Sequence, residues 1–135
     1  MVEVVHMPNE KVIKIKPAFE DGRGKISNII EDSSISHVAI ITSKKGSIRA
    51  NHYHPEQIQY EFLISGRYES SSKDLKKEGA KIEKIVVEQG DLVITPPMIA
   101  HAMRFTEDSV MLNITTGSRD PEKFKEHTIK YELIK

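Results

Sequence analysis

Short segments rich in β-branched residues recur along this chain, and they constrain its fold more than any other feature. They follow one another about every ten residues, as in β-sandwiches and β-barrels. Turn-forming sequences such as Asp21-Gly22-Arg23-Gly24 and Gln89-Gly90-Asp91 lie between them. Helical periodicity is almost absent, so we predict an all-β fold. The predicted strands span residues 2–5, 11–16, 25–30, 37–42, 48–54, 58–64, 81–87, 92–95, 101–105 and 110–115.

Two segments depart from this pattern. Residues 71–80 carry a run of charges that ends in Gly79, which predicts a solvated surface loop. The tail, residues 120–135, contains an alternating run over residues 127–134. This run predicts a last strand that closes a sheet edge or adds to a partner subunit.

A length of 135 residues without a repeat or linker predicts one domain, residues 1–135.

The composition narrows the classes of partner and of chemistry. Twenty Lys and Arg balance twenty Asp and Glu, so no net charge attracts nucleic acid or an anionic membrane. No apolar stretch approaches the roughly 18 residues of a membrane span. The chain has no cysteine, which leaves only nitrogen and oxygen groups as metal ligands. We therefore expect a cytoplasmic protein with a small-molecule ligand.

Three histidines form the strongest candidate site. His52 and His54 lie two residues apart in a predicted strand, so both imidazoles point to the same face. His101 follows the Pro96-Pro97 turn at the start of another predicted strand. We predict that a barrel brings His101 to the other two. His6, His37 and His127 have no comparable setting and are expected to be ordinary strand or surface residues.

The strand after the histidine pair carries further polar candidates. Gln59 and Glu61 alternate with apolar residues and share a face with Leu63, which indicates an interior site rather than a solvent face. Three imidazoles and the Gln59 oxygen suit a divalent ion such as zinc, iron, manganese, nickel or copper. Such a ligand set leaves a position open for water or substrate.

These residues resemble the motifs of the cupin superfamily. The positions that match the first motif are Gly46, His52, His54, Gln59 and Gly66. Those that match the second motif are Gly90, Pro96, Met98 and His101. The resemblance implies a double-stranded β-helix, or jelly-roll barrel, as a single cupin domain with its core at about residues 36–116. It also implies a homodimer that pairs through edge strands.

Two positions differ from the cupin pattern. Gln59 stands where a metal-binding glutamate is usual, and Met98 stands where glycine is usual. A neutral amide is a weaker ligand than a carboxylate, so metal affinity is expected to be low. Glu61 is a candidate to supply the missing charge as a ligand, as a partner of a ligand or as a general base.

Two further segments are similar to cupins that act on nucleotide-linked sugars. Residues 19–25 resemble an Asp-x-Arg-Gly segment and residues 48–53 an Arg-Gly-x-His-Tyr segment of deoxysugar 3,5-epimerases, 3,4-ketoisomerases and the cupin half of a capsular-sugar reductase. In such enzymes a histidine removes a proton next to a keto group and a tyrosine returns one, without a metal. The resemblance implies His52 or His101 as the base and Tyr53, Tyr60 or Tyr68 as the acid.

The carboxylate that supports the histidine in those enzymes cannot be identified from this sequence. Arg49 and Arg104 are candidates to hold a phosphate or carboxylate, because a guanidinium offers a planar fork of donors. Each arginine lies three residues from a candidate histidine in its predicted strand, so its side chain is expected on the opposite face of the strand. This favours surface placement for both.

Four hypotheses follow for function. The first is a metal-binding cupin acting as an isomerase or epimerase on a sugar-derived ligand, with His52, His54, Gln59 and His101 as ligands. Its catalytic candidates are His52, His101, Glu61 and Tyr60. The second is a metal-free epimerase or ketoisomerase of a nucleotide-linked sugar. The third is a non-catalytic sugar or effector binder, and the fourth is an iron-dependent dioxygenase.

Overall fold

The computed structural model describes residues 3–6, 9–32, 34–117 and 128–135. Within these ranges the regular structure is all β, and no helix is long and apolar enough to cross a membrane. The strands are β1 Glu3–His6, β2 Lys11–Lys14, β3 Phe19–Asp21, β4 Gly24–Ile26, β5 Ile35–Ser43, β6 Ile48–Tyr53, β7 Gln59–Ser65, β8 Arg67–Asp74, β9 Glu83–Glu88, β10 Asp91–Thr95, β11 Ile99–Phe105, β12 Ser109–Thr116 and β13 Ile129–Lys130.

Two antiparallel sheets make up the body of the fold. One has the strand order β1-β2-β10-β7-β12-β5 and the other β13-β6-β11-β8-β9, while β3 and β4 form a separate hairpin. Apolar side chains from both sheets, among them Leu63, Met111, Tyr68 and Phe105, form one buried cluster between them. The prediction of an all-β fold is confirmed.

The strand prediction is wrong in two stretches. Residues 27–30, predicted as strand, lie beyond the end of β4 at Ile26, and residues 71–74, predicted as part of a loop, are in a strand. Residues 71–74 belong to β8, which pairs with β11 on one side and β9 on the other, and Ser71 and Ser72 are buried. Small hydroxyl side chains carry no hydrophobic signal, but their backbone groups are satisfied by two neighbouring strands. The prediction also omitted β3.

The end of the chain forms a strand, as the alternating tail predicts. Ile129 pairs with Tyr53 and Lys130 pairs with His52, so β13 extends the second sheet beside β6. Of the predicted elements, residue 2 and residues 120–127 lie outside the described ranges, as do the side chains of His6 and His127.

Candidate active site

Strand pairing brings the three predicted histidines together. His52 on β6 lies directly opposite His101 on β11, and His54 follows at the end of β6. The ring centroid of His52 is 4.7 Å from that of His54 and 4.9 Å from that of His101. One ring nitrogen from each histidine lies within 4.8 Å of the others. Among the described residues, this is the arrangement that could hold a metal ion.

A β-bulge in β6 orients His52. The pairing register passes from His101–His52 to Ala102–Ala50 and skips Asn51, and both Ala50 and Asn51 have positive φ angles, 70° and 54°. A bulge of this kind adds one residue to a strand and changes which side chains share a face. Arg49 therefore lines the same pocket as His52, although it is exposed overall. The expected surface placement of Arg49 is confirmed by its exposure, but the bulge makes its expected separation from the histidines wrong.

The pocket beside the histidines has a volume of about 180 Å³ and lies between the two sheets. Its lining residues include His52, His54, Gln59 and Glu61, as well as Asn113 from β12. Glu61 is buried, and its Oε1 accepts a hydrogen bond of 3.1 Å from the Asn113 amide. The structure thus places both predicted polar residues of β7 at the histidine site.

A buried carboxylate that sequence reasoning missed lies behind His101. Oε2 of Glu10 is 3.8 Å from Nδ1 of His101, and both side chains are almost fully buried. The hydroxyls of Ser70 and Thr95 donate to the two carboxylate oxygens of Glu10, each over 2.6 Å. Glu10 precedes β2 in a polar stretch of sequence that resembles any surface turn, so no local pattern distinguishes it.

Burial sets the protonation state of this pair. Desolvation, followed by the nearby charges of His52 and His54, holds the pKa of His101 well below its usual value of 6.5. His101 is therefore a neutral imidazole at neutral pH and keeps one lone pair for a proton or a metal ion. Desolvation also raises the pKa of Glu10 above 4.5, while the hydrogen bonds from Ser70 and Thr95 oppose that rise.

The three candidate tyrosines lie elsewhere. Tyr60 alternates with Gln59 and Glu61 on β7, so it faces outward, where its hydroxyl donates to Asp32 over 2.6 Å. Tyr68 is buried against Phe105, with ring centroids 5.1 Å apart. Tyr53 is an edge-to-face neighbour of Tyr131, at 6.3 Å. None of the three is among the described residues that line the pocket, so the assignment of Tyr60 as a catalytic acid does not agree with its position.

The C-terminal segment adds a residue to the site. The Thr128 hydroxyl and Nδ1 of His54 are hydrogen-bonded at 3.3 Å. The side chain of Asn51 fixes the end of this segment, because its Oδ1 accepts from the backbone N–H of Leu133 over 2.9 Å and its Nδ2 donates to the carbonyl of Ile134 over 3.0 Å. Arg104 donates to the carbonyl of Lys135 over 2.8 Å, so it is occupied with the tail rather than with the pocket.

Comparison with known proteins identifies the family. The family model described as the polysaccharide biosynthesis C-terminal domain matches residues 19–120. The chain belongs to this family. No match to a curated protein was found.

Solved structures similar to this member of the polysaccharide biosynthesis C-terminal family share its cupin fold. The dTDP-4-dehydrorhamnose 3,5-epimerase from Sulfolobus tokodaii is 21% identical, with a TM-score of 0.74 over 94% of this chain and 80% of that chain. The corresponding enzyme from Bacillus anthracis is 15% identical, with a TM-score of 0.76 over 95% and 82%. A 3,4-ketoisomerase from Thermoanaerobacterium thermosaccharolyticum is 21% identical, with a TM-score of 0.71 over 93% and 89%. The cupin resemblance of the sequence is thereby confirmed.

Proposed function

We propose that this protein is an isomerase or epimerase that moves a proton at the carbon next to the keto group of a nucleotide-linked sugar. The observation that carries the proposal is a cluster of three imidazoles with ring nitrogens within 4.8 Å of one another. His52 and His54 line the pocket, and His101 is neutral and lies beside the buried carboxylate of Glu10. The family description and the printed names of the similar structures, which are sugar epimerases and a ketoisomerase, support the same class of ligand.

The chemistry requires a base that is neutral in the resting enzyme. In this proposal His52, which lines the pocket, accepts the proton from the carbon next to the keto group. The electron pair of the broken C–H bond moves to the carbonyl oxygen and gives an enolate. His54 reacts as an imidazolium that has taken a proton from solvent: it donates that proton to carbon and completes the reaction, and His52 then releases the abstracted proton to solvent. No tyrosine is needed for this step, which agrees with the outward position of Tyr60.

Proton exchange with solvent tests the proposal directly. The probe is TDP-4-keto-6-deoxyglucose in deuterium oxide, with deuterium at the carbon next to the keto group followed by NMR. We expect incorporation with the wild-type chain and a loss of about 100-fold or more in the His52→Asn variant. Binding of the sugar without exchange would favour the non-catalytic binder. Exchange that survives in a folded His52→Asn variant would remove His52 from the mechanism.

A metal-dependent form of the same reaction is the second candidate. The three histidine nitrogens within 4.8 Å of one another favour it, together with Gln59 in the same pocket. This donor set fits zinc, manganese, iron or nickel. When bound, such an ion would polarise the keto oxygen and so acidify the neighbouring C–H group.

Thermal unfolding with added metal separates the two candidates. The chain is dialysed against EDTA and then titrated with zinc, manganese or nickel chloride. A metal site predicts a saturable rise of the melting temperature, because a ligand stabilises the state that binds it. The rise should disappear in the His52→Asn/His54→Asn double variant and persist in His37→Asn, whose side chain lies outside the cluster. Proton exchange that is undiminished after EDTA treatment would exclude metal dependence.

In this proposal Arg49 binds the phosphate groups of the ligand. This residue lines both the histidine pocket and a neighbouring groove that also contains Lys44, Ser47 and Asp108. Its guanidinium donates to the Ser43 hydroxyl over 2.7 Å, which holds the side chain between the two cavities. A cation in that place would bind the diphosphate while the sugar occupies the pocket.

We also propose that the protein is a homodimer joined through the first sheet. β5 is an edge strand of nine residues, and Val38 and Ile40 on its outer face are 59% and 69% exposed. Ile40 begins an apolar row that runs across five strands on this face, made of Ile40, Leu112, Phe62, Leu92 and Ile13, of which Leu92 is already buried within the chain and the other four are exposed or half-buried. Because a two-fold axis brings the same surface of both copies together, this face fits a second copy of the chain.

A further inference from the structure

We propose that Glu10 is a positioning residue that fixes the tautomer of His101. In this tautomer Nδ1 carries the hydrogen and faces Glu10, while the lone pair of Nε2 remains available on the side of the histidine cluster. The inference rests on the proposed function only where the metal-dependent form uses that lone pair as a ligand, since the tautomer itself can be measured without a substrate.

Glu10 reaches the interior from outside the two sheets. It lies just before β2, yet its side chain is buried between β8 and β10, where Ser70 and Thr95 contact its two oxygens. The ion-pair contact found for Glu10 among the described residues is with His101 rather than with a lysine or arginine. A buried carboxylate without a cationic partner destabilises a fold, so a well-packed apolar residue would make the core more stable. Its presence beside a histidine therefore points to a role at the site.

The charge next to each ring nitrogen of His101 determines which one is protonated. Both oxygens of Glu10 accept hydrogens from hydroxyl groups, so the carboxylate presents lone pairs to its surroundings. At 3.8 Å the contact with Nδ1 is electrostatic, and it favours a hydrogen on that nitrogen. Nε2 of His101 is buried and has no hydrogen-bond partner in the described part of the chain. The same arrangement suits a base and a metal ligand, because in both cases the opposite nitrogen must offer its lone pair.

NMR of the imidazole ring nitrogens tests the assignment. Long-range ¹H–¹⁵N correlation spectra are recorded on the full chain after dialysis against EDTA, so that no metal ion fixes the ring. We expect wild-type His101 to show a protonated Nδ1 and an unprotonated Nε2. In Glu10→Gln the ratio of the two tautomers should change by about tenfold toward Nε2–H, the change expected when a charged acceptor becomes neutral.

Ser70→Ala provides the matched control. It removes a hydroxyl from the Oε1 side of the same carboxylate, whereas Oε2 is the oxygen that faces His101. The control therefore disturbs the packing around Glu10 but should leave the His101 tautomer unchanged. A tautomer that shifts equally in Ser70→Ala and in Glu10→Gln would show a general packing effect and overturn the proposal.

The wild-type spectrum alone can also overturn it, even if Glu10→Gln does not fold. A hydrogen on Nε2 of wild-type His101 would mean that Glu10 does not set the tautomer. If the tautomers behave as expected but no keto sugar exchanges protons, the assignment of Glu10 stands and the proposed reaction fails. If exchange occurs, Glu10→Gln should lower kcat while leaving KM within about twofold, since Glu10 does not line the pocket.

Discussion

His52 and His101 are directly opposed across the antiparallel pair β6–β11, with their ring centroids 4.9 Å apart. This cross-strand pairing explains how residues from distant parts of the sequence form one site. Burial, followed by the nearby charges of His52 and His54, holds the pKa of His101 well below 6.5. His101 is therefore kept in the neutral form that accepts a proton or binds a metal ion.

The lowered pKa of His101 predicts a loss of stability in mild acid. The folded chain keeps His101 neutral, whereas the unfolded chain binds a proton at this residue below the usual pKa of 6.5. The free energy of unfolding should therefore fall as the pH drops below 6.5, by up to about 1.4 kcal/mol per pH unit until the folded pKa is reached. Urea denaturation between about pH 7.5 and pH 5 measures this slope.

The His101→Gln variant is the control for the pH dependence of the free energy of unfolding. Glu10 acts in the opposite direction, because its raised pKa makes the folded chain bind a proton above pH 4.5, where the unfolded chain does not. That contribution is present in both proteins, so the difference in slope reports on His101. The variant should show the shallower dependence on pH, and equal slopes would contradict a neutral buried His101.

Tyr60→Phe tests the outward position of Tyr60. The change removes the 2.6 Å hydrogen bond to Asp32 and should lower the free energy of unfolding by about 1 kcal/mol. Burial, followed by the hydrogen bond to Asp32, raises the pKa of Tyr60 to about 12, so the hydroxyl holds its proton at neutral pH. The rate of proton exchange on the keto-sugar probe should stay within about twofold of wild type. A loss of more than about tenfold would return Tyr60 to the catalytic residues.

Met98→Gly is expected to stabilise the turn before β11. Met98 has a φ of 66°, in the region where a side chain costs about 1–2 kcal/mol and glycine fits without strain. Its backbone N–H donates to the carbonyl of His54 over 2.8 Å, so this turn also helps to position the site. Met98→Ala is the control, because it removes the side chain but keeps the strain. Thermal unfolding should rank Met98→Gly above Met98→Ala by about 1 kcal/mol, and the reverse order would contradict the strain.

Arg49→Gln should weaken the binding of TDP. Removing the guanidinium between the pocket and the neighbouring groove is expected to raise the Kd by about tenfold or more, measured by calorimetry. Arg104→Gln is the matched control, since Arg104 donates to the carbonyl of Lys135 instead. Equal losses in the two variants would indicate a general effect of charge rather than a phosphate site at Arg49.

Ile40→Asp should separate the proposed dimer. Ile40 is 69% exposed on the edge strand of the apolar face, so a carboxylate there is tolerated in a single copy but would be buried at an interface. Light scattering after size-exclusion chromatography should show a change from dimer to monomer. Ile82→Asp, at an apolar residue 47% exposed outside that face, should remain a dimer. A wild-type chain that elutes as a monomer would contradict the proposed dimer.

Local patterns determined the fold class and the candidate residues. The alternation of apolar and polar residues in β7 predicted the inward face of Gln59 and Glu61, because side chains in a strand alternate with a period of two. The same rule placed Tyr60 on the opposite face. Motif spacing pointed to His52 and His101 and to Met98 at a glycine position, where the backbone does adopt a positive φ.

Tertiary structure alone decided how these residues are used. The bulge at Asn51 brings Arg49 to the pocket that contains His52, although simple alternation put it on the opposite face. No pattern in the sequence predicts one extra residue in a strand. β8 was missed because buried serines look like loop residues until neighbouring strands satisfy their backbone. Glu10 looks like a surface charge in the sequence because it lies between the polar residues Asn9 and Lys11. Its partners Ser70, Thr95 and His101 come from distant strands, and only packing brings them together.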